Sequence, residues 1–345
     1  MKYGGLFMKK IIIAVLCMLL MAGTLAGCGE KNKSEKNANL SIVTTIFPEY
    51  DWVREIMGDE AENADITMLM DSGVDLHSYQ PTADDIGKIS KCDLFIYAGG
   101  ESDEWVEDAL KQAENKDMKV INMMEMLGDS VKAEEVVEGM EAEHDHEHDE
   151  DSDHDEDSDH HDSDKEVEYD EHTWLSLKNA EVICEAIEND LSSLDPEHKD
   201  IYKNNSVEYI SKLSELDSKY QEVVDDAARK TVLFGDRFPF RYLTDDYGLD
   251  YYAAFVGCSA ETEASFETVK FLAEKVDELD LPCVMTTEGS DHKIAETIIR
   301  NTADKDQKVL TMDSMQAVTA SDLKDGKTYL SVMEKNLEAL KEALN

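Results

Sequence analysis

Histidine and carboxylate side chains, which can bind metal ions, are concentrated in one stretch of the sequence, residues 141–164. Of these 24 residues 14 are Asp or Glu, and six are histidines: His144, His146, His148, His154, His160 and His161. Closely spaced imidazoles and carboxylates are ligands for divalent cations such as Zn²⁺, and short His-rich tracts indicate metal binding. The stretch has no large apolar side chain to bury, so we expect a solvated loop. Its sites should be weak and several, and they would collect metal for a better-ordered site elsewhere.

Two other histidines lie in loops next to predicted elements. His77 follows the predicted strand 64–70 within DSGVDLHSYQP, and His172 precedes a predicted helix within DEHTWLSLKNA. A single loop histidine is most often only solvated, and a polar residue before a helix often caps it. Each of the two is therefore a candidate metal ligand whose role the local sequence alone leaves open.

Short β-branched segments alternate with helical segments from residue 40 onward. Strands are predicted over 40–46, 64–70, 93–99 and 118–123, and in the second half over 231–235, 249–255, 282–288 and 308–312. Such alternation is typical of parallel sheets covered by helices. Residues 128–169 interrupt it, because they contain only one weak predicted helix (131–140) and the acidic stretch. A loop of this length is usually functional or disordered.

A long helix is predicted between the two halves, over 196–229. Asp195 and Pro196 form a typical helix start, and apolar residues then recur at three- and four-residue steps without an interrupting glycine or proline. We therefore predict an α/β protein with two doubly wound, mainly parallel-sheet lobes, residues 40–195 and 230–345, joined by a long rigid helix. Ligands of such folds bind at the carboxyl ends of the strands, which predicts a site in the cleft between the lobes.

The N-terminus has the pattern of an export signal. Two lysines precede an apolar run, so residues 1–27 are predicted to be a secretory signal peptide whose start is Met1 or Met8. The sequence LAGC that ends at Cys28 resembles the lipobox of bacterial lipoproteins, in which the cysteine carries the lipid and becomes the mature N-terminus. Residues 28–39 are polar and would tether the fold to the membrane.

The chain is strongly acidic, with a formal net charge of −46. A surface of this charge repels the phosphate groups of nucleic acids, which excludes them as partners, and attracts cations instead.

Four cysteines follow the lipobox: Cys92, Cys184, Cys258 and Cys283. Their spacing fits no zinc-ligand pattern of the CxxC kind. We interpret them as buried free thiols, and a disulfide between Cys258 and Cys283 is the open alternative in an exported protein.

Several motifs together resemble those of one family. The segments GVDLHSYQPTADDI and CDLFIYAGGESDEWVEDAL, an acidic His-rich insertion and DEHTWLSLKNA follow one another as in the solute-binding proteins of zinc and manganese ABC importers. The resemblance covers nearly the whole mature chain. It implies a monomeric, lipid-anchored binding protein outside the cytoplasm, not an enzyme, that delivers its metal to a membrane permease with its ATPase. It also implies that His77 and His172 are the ligands from the N-terminal lobe.

The C-terminal lobe departs from the family pattern. Members carry His, or Glu in manganese forms, at the start of a segment similar to HxAFxYFxxxYGL, whereas GDRFPFRYLTDDYGL places Arg237 there. Arginine has only donors and cannot bind a cation. The neighbouring Asp236 is therefore expected to substitute, and Asp313 matches the family's acidic ligand. Glu288 is expected beside the ligands or as an alternative ligand, and Arg237 is expected to pair with Asp313 or Glu288 when metal is absent.

Zinc is the expected metal because imidazole suits zinc, whereas carboxylate and water suit manganese. A manganese-binding version stays open, since two histidines with two acids also suit that ion. Two other functions stay open as well. One is a surface adhesin lipoprotein, and the other is a secreted zinc hydrolase with Glu288 as base, although the sequence has no HExxH motif.

Overall fold

The computed structural model describes residues 39–141, 167–259 and 263–345. The predictions for the signal segment, for Cys28 and for the six histidines of the acidic stretch lie outside these residues. The predicted tether reaches them only at Asn39.

The N-terminal lobe is built on a four-stranded parallel sheet. Its strands are β1 (Ser41–Thr44), β2 (Asp65–Met68), β3 (Leu94–Tyr97) and β4 (Lys119–Asn122), in the order β2-β1-β3-β4. The helices of this lobe are α1 (Phe47–Met57), α2 (Ala83–Ile89), α3 (Trp105–Lys111), α4 (Met123–Leu127) and α5 (Leu177–Leu194). Helices connect the strands because parallel neighbours need a crossover that returns the chain to the same edge. Two residues set the limits of α1. Pro48 lies in its first turn, and Gly58, with φ of +58°, directly follows its last residue.

A 28-residue helix, α6 (Lys199–Asp226), follows and joins the two halves. At 1.5 Å per residue it is about 42 Å long. Its buried face consists of Tyr202, Ser206, Tyr209, Leu213, Leu216, Tyr220 and Val224. Asn205 donates to the carbonyl of Ile56 at 3.1 Å, and the Tyr220 hydroxyl donates to the carbonyl of Met333 at 2.7 Å. The helix is therefore fixed to both ends of the chain's folded part.

The C-terminal lobe contains a second four-stranded parallel sheet. Its strands are β5 (Thr231–Phe238), β6 (Asp250–Val256), β7 (Cys283–Thr287) and β8 (Lys308–Met312), in the order β6-β5-β7-β8. Its helices are α7 (Arg241–Tyr247), α8 (Phe266–Glu278), α9 (Lys293–Asn301), α10 (Ala320–Lys324) and α11 (Tyr329–Ala343). The register between β5 and β6 shifts between Phe234 and Arg237. Such an irregularity redirects the side chains at the end of a strand.

One apolar core includes residues of both lobes. Tyr329 at the start of α11 meets Trp52 of α1 edge-on, with ring centroids 5.1 Å apart, and its hydroxyl donates to the carbonyl of Trp174 at 2.7 Å. The predicted fold class, two parallel-sheet lobes with a long joining helix, is confirmed. Among the described helices, none has the length and apolar composition needed to cross a bilayer.

Residues 131–141, here called the crossing segment, do not form the helix predicted for 131–140. They run over the C-terminal lobe, where the N–H of Glu141 donates to Ala254 O, in the edge strand β6, at 3.0 Å. The Glu135 carboxylate also pairs with the Arg241 guanidinium at 2.8 Å. Hydrogen bonding to a free sheet edge and an ion pair replace a short helix that would be marginal without a packed apolar face.

Candidate metal centre

His77 and His172 converge although 95 residues separate them in the chain. His77 lies in a single 3-10 turn, Leu76–Ser78, after β2, and His172 directly precedes another, Thr173–Leu175. Their Nε2 atoms are 3.2 Å apart. The His172 side chain is 0% exposed and that of His77 is 13% exposed. Two nitrogens bound to one tetrahedral Zn²⁺ at about 2.0–2.1 Å would lie about 3.3 Å apart, so the pair already has the separation that zinc requires.

Hydrogen bonds leave both Nε2 atoms directed at one another. The Asp170 carboxylate lies 2.9 Å from Nδ1 of His172 and also accepts from its backbone N–H at 2.8 Å. A carboxylate can only accept, so Nδ1 of His172 carries a proton, and in the neutral ring Nε2 keeps a lone pair for a metal. Nδ1 of His77 lies 2.8 Å from the Ser102 hydroxyl, which fixes the second ring.

The two imidazoles differ in their electrostatic surroundings. Burial, and after it the neighbouring His172, lowers the pKa of His77 to about 3. Burial also acts to lower the pKa of His172, but the carboxylates of Asp170 and Glu171 outweigh it and raise that pKa. His77 is thus neutral at physiological pH, which is the form that binds a metal.

Cys258 is a third potential ligand, which the sequence motifs did not predict. One ring nitrogen of each histidine and Sγ of Cys258 lie within 4.8 Å of one another. The cysteine follows β6 directly after Gly257. A Cβ on Gly257 would lie 3.0 Å from Cε1 of His172 and 3.0 Å from the carbonyl of Phe238, so glycine permits the close approach. Its position just after a strand is the signal that could have identified it.

The Cys258 thiol lies beside acids. The Glu134 carboxylate, from the crossing segment, accepts from the backbone N–H of Cys258 at 3.2 Å. Burial raises the pKa of the thiol, and the charges of Glu134 and Asp170 raise it further. A bound cation would favour the thiolate instead. The described cysteines Cys92, Cys184, Cys258 and Cys283 are all free, so the alternative of a Cys258–Cys283 disulfide was wrong.

Glu171 also lies in the first layer around the histidines. Its Oε1 accepts from the backbone N–H of Ser102 at 2.8 Å, whereas its buried Oε2 has no hydrogen-bond partner and lies 3.5 Å from Nδ1 of His77. Gly100, with φ of +83°, allows this approach, because a Cβ there would come within 2.4 Å of Oε1. Burial raises the pKa of this carboxyl. A buried acceptor without a partner is costly unless a cation or a proton satisfies it.

The structure does not bring the two predicted acidic ligands to the histidines. Asp236 accepts hydrogen bonds from the N–H and hydroxyl of Thr287 at 3.0 and 2.9 Å. One oxygen of Asp313 pairs with Lys327 at 2.7 Å, and the other accepts from the N–H of Met315 at 2.8 Å. Both carboxylates serve backbone and side-chain donors at the ends of β7 and β8. Among the described residues, neither belongs to the group of potential ligands formed by the histidines and the cysteine.

Glu288 and Arg237 each make well-defined contacts in the structure. Glu288 accepts from the N–H and hydroxyl of Ser314, both at 2.7 Å, and from the N–H of Gln316 at 3.1 Å, so it holds a loop of its own lobe. The expected pairing of Arg237 with Asp313 or Glu288 was wrong. Its guanidinium binds Asp75 of the N-terminal lobe at 2.8 Å.

The Arg237–Asp75 pair bears on the site indirectly. The other oxygen of Asp75 accepts from the backbone N–H of His77 at 3.0 Å. Asp75 therefore holds the turn that carries His77 and is itself held from the opposite lobe. Arg237 therefore helps to position the turn that carries His77, and it is not a metal ligand itself.

Two parallel-sheet lobes with a convergent pair of histidines at their junction define a metal-binding solute-binding protein as a class. The family described as zinc-uptake complex component A, periplasmic, matches residues 42–343, and the chain belongs to this family. The family resemblance predicted from the motifs is thus confirmed.

Curated relatives agree with this assignment. The chain is 32% identical over 341 residues to the zinc-binding lipoprotein AdcA of Streptococcus pneumoniae, which covers 97% of this chain and 61% of the relative. This chain thus spans about three fifths of that longer protein. It is 29% identical over 343 residues to the high-affinity zinc uptake system protein ZnuA of Bacillus subtilis, covering 99% of this chain and 98% of the relative.

Solved structures share the fold. The Zn(II)-bound ZnuA-like domain of Streptococcus pneumoniae AdcA matches with a TM-score of 0.66 and 28% identity, over 89% of this chain and 99% of that one. The metal-dependent lipoprotein YcdH of Bacillus subtilis matches with a TM-score of 0.69 and 25% identity, over 89% and 99%. A laminin-binding protein of Streptococcus agalactiae, described as having adhesin and metal-transporting activity, matches with a TM-score of 0.67 and 25% identity, over 89% and 100%.

Proposed function

We propose that this protein captures Zn²⁺ outside the cytoplasm and delivers it to the permease of an ABC importer driven by its ATPase. The observation that carries the proposal is the pair of Nε2 atoms, 3.2 Å apart, of His77 and His172. Facing imidazole nitrogens at this distance hold a proton or a metal ion between them. Because hydrogen bonds already hold the two rings on short turns, an ion binds there without first having to order its ligands.

Zinc is favoured over manganese by the donors at this site. Two imidazoles are borderline-soft ligands that suit Zn²⁺, whereas Mn²⁺ favours carboxylate and water. The two acids that would have made a manganese set, Asp236 and Asp313, are engaged elsewhere. Relatives named for zinc binding and zinc uptake support the same choice.

Capture is favoured over the hydrolase alternative that uses Glu288 as its base. A hydrolase would need a general base free to accept a proton from a metal-bound water. Glu288, the base in the hydrolase alternative, has both oxygens occupied by Ser314 and Gln316. We further propose anchoring through a lipid on Cys28 and action as a monomer, in line with relatives that are named lipoproteins.

The test is a zinc titration of the full chain against a competing chelator, repeated with Mn²⁺. His77→Ala and His172→Ala should each weaken zinc binding by more than about 100-fold, because losing a ligand costs more than losing a ligand's hydrogen-bond partner. His198→Ala, at a 36% exposed position on the start of the joining helix, is the control and should bind as the parent does. Equal affinity in all of these proteins would contradict the proposal.

Deletion of residues 142–164, which keeps Glu141 and its hydrogen bond to Ala254, tests the acidic stretch separately from this site. The high-affinity site should remain, and only weak additional binding should be lost. A strain that lacks the whole gene for this protein tests uptake itself. Normal growth of that strain when zinc is chelated would favour the adhesin alternative over uptake.

A further inference from the structure

The C-terminal side of the centre lacks the ligand that the family pattern leads one to expect, since Arg237 stands at that position. Its guanidinium forms the ion pair with Asp75 and cannot donate an electron pair to a cation. The histidines supply only two ligands, whereas a structural or transport zinc site is most often four-coordinate. Another donor therefore has to come from the residues that surround Nε2 of His77 and His172.

We propose that Cys258 is the zinc ligand of the C-terminal lobe and that its thiolate makes the site select zinc over manganese. The proposal rests on the zinc-capture function above and assigns the metal preference of that same site. It follows from the cluster of His77, His172 and Cys258, whose donor atoms lie within 4.8 Å of one another.

Zinc binding requires the Cys258 thiol to move toward the two histidines. In a tetrahedral zinc site with Zn–N near 2.0–2.1 Å and Zn–S near 2.3 Å, nitrogen and sulfur lie about 3.6 Å apart. The donor atoms of the cluster lie within 4.8 Å of one another, so the thiol has to move closer to the Nε2 atoms by a side-chain rotation or a slight closure of the lobes. Gly257 already removes the side chain that would block this approach, since a Cβ there would be 3.0 Å from the His172 ring.

The surroundings of Cys258 fix its backbone beside the histidines. Glu134 accepts from its N–H at 3.2 Å, and Gly257 packs against the His172 ring. On binding, the thiol releases its proton to solvent, a Zn–S bond forms, and no electron transfer is involved. The sulfur carries one negative charge into a site whose nearby guanidinium is already neutralised by Asp75.

Sulfur also accounts for selectivity. Thiolate is a soft ligand that binds zinc in preference to manganese, whereas oxygen donors favour manganese. Serine and aspartate at this position should therefore change metal binding in different ways. Cys258→Ser should weaken zinc binding by about tenfold or more, and Cys258→Asp should lower the zinc-to-manganese affinity ratio by about tenfold or more.

The test uses Co²⁺ as a spectroscopic probe in the full chain. A cysteine ligand gives an intense sulfur-to-cobalt charge-transfer band in the near ultraviolet, and imidazole ligands do not. The parent and a Cys283→Ala control should show this band, and Cys258→Ser and Cys258→Ala should lose it while still binding Co²⁺ weakly through the histidines. A band that persists without Cys258 would overturn the proposal.

A second measurement needs no variant of the site. Burial and nearby acids raise the pKa of the Cys258 thiol and make its alkylation slow, so iodoacetamide is applied at alkaline pH until the metal-free chain is alkylated at Cys258. Zn²⁺ should protect Cys258 under the same conditions, as read by peptide mass spectrometry. Alkylation of Cys258 at the same rate with and without Zn²⁺ would overturn the proposal. If His172→Ala abolishes zinc binding while Cys258→Ser leaves affinity and spectrum unchanged, the cysteine assignment fails and zinc capture stands. If neither variant alters zinc binding, the capture proposal itself fails.

Discussion

The two halves of the metal centre are built on different principles. On the N-terminal side, each imidazole has a partner on Nδ1, and the His172 ring lies against Trp174 with ring centroids 5.3 Å apart. On the C-terminal side, Cys258 lies two residues after the end of β6, and the Arg237 guanidinium pairs with Asp75. The first half is pre-organised before metal arrives, whereas the second has to approach it. We infer that the first half sets how tightly a divalent cation binds and the second sets which cation is preferred.

Asp170→Asn should have the largest effect among the partners of the pre-organised half. Asparagine has the same shape but removes the charge that accepts from Nδ1 of His172. Loss of such a carboxylate partner typically costs 10–100-fold in metal affinity, and we expect a loss in that range from chelator competition. Asp108→Asn, at an 80% exposed position on α3, is the control. Unchanged affinity would mean that packing alone orients His172, and that the Asp170 carboxylate does not pre-organise the N-terminal side of the centre.

Gly257→Ala tests how closely the second half has to approach. The new Cβ would lie 3.0 Å from both the His172 ring and the Phe238 carbonyl, so one of them has to yield. Overpacking of this kind costs about 1 kcal/mol or more. We expect this strain to be greatest when the thiol has closed onto the histidines, so zinc affinity should fall by about fivefold. Gly87→Ala is the matched control, because a Cβ there meets nothing within 4 Å and helix α2 gains a better helix former. An unaltered zinc titration for Gly257→Ala would show that the approach is looser than proposed.

Much of the fold could be predicted because local patterns determine it. Alternating strand and helix segments predicted two parallel sheets, and Asp195-Pro196 marked the region where α6 begins. The crossing segment was mispredicted because its conformation depends on the edge of β6 and on Arg241, which are more than a hundred residues away. Tertiary hydrogen bonds outweighed a weak helical pattern there.

The candidate site divides in the same way. The two histidines lie in motifs several residues long, and the structure brings them together. Their ligand role stays a prediction until it is measured. The partner of Arg237 is Asp75, 162 residues away in the chain, which no local pattern reveals. Cys258 was interpreted as a buried thiol because spacing rules look for cysteine pairs, whereas its significance comes from Gly257 passing a histidine of the other lobe.

Arg237→Ala tests the ion pair that connects the halves. Burial acts to raise the pKa of Asp75, but the Arg237 guanidinium outweighs it and lowers that pKa. An acid whose folded-state pKa is lowered stabilises the fold above its ordinary pKa of about 3.9, and this contribution is lost as pH falls through the folded-state value. The variant should therefore lose up to about 1 kcal/mol of unfolding free energy at pH 7. The difference from the parent should shrink below about pH 4.

Urea unfolding of both proteins from pH 7 to pH 3 measures this difference. Arg300→Ala, at a 63% exposed position on α9, is the control and should cost less at pH 7. A difference that stays constant down to pH 3 would show that Arg237 acts by packing and not through the charge of Asp75.

Asp313→Asn should have the smallest effect. It tests directly whether the C-terminal lobe supplies an acidic ligand to the metal. Both carboxylate oxygens already have partners, Lys327 and the N–H of Met315. We expect zinc affinity to change by less than about twofold, since no metal contact is removed, with a loss of unfolding free energy of at most about 1 kcal/mol from the half-buried ion pair. Asp236→Asn, whose carboxylate binds Thr287, should behave in the same way toward zinc. A tenfold loss in Asp313→Asn would instead assign the metal an acidic ligand from the C-terminal lobe, as the family pattern predicts. Combining it with Cys258→Ser would then show whether sulfur and carboxylate act at one site, because two ligands of the same ion give losses that are not additive.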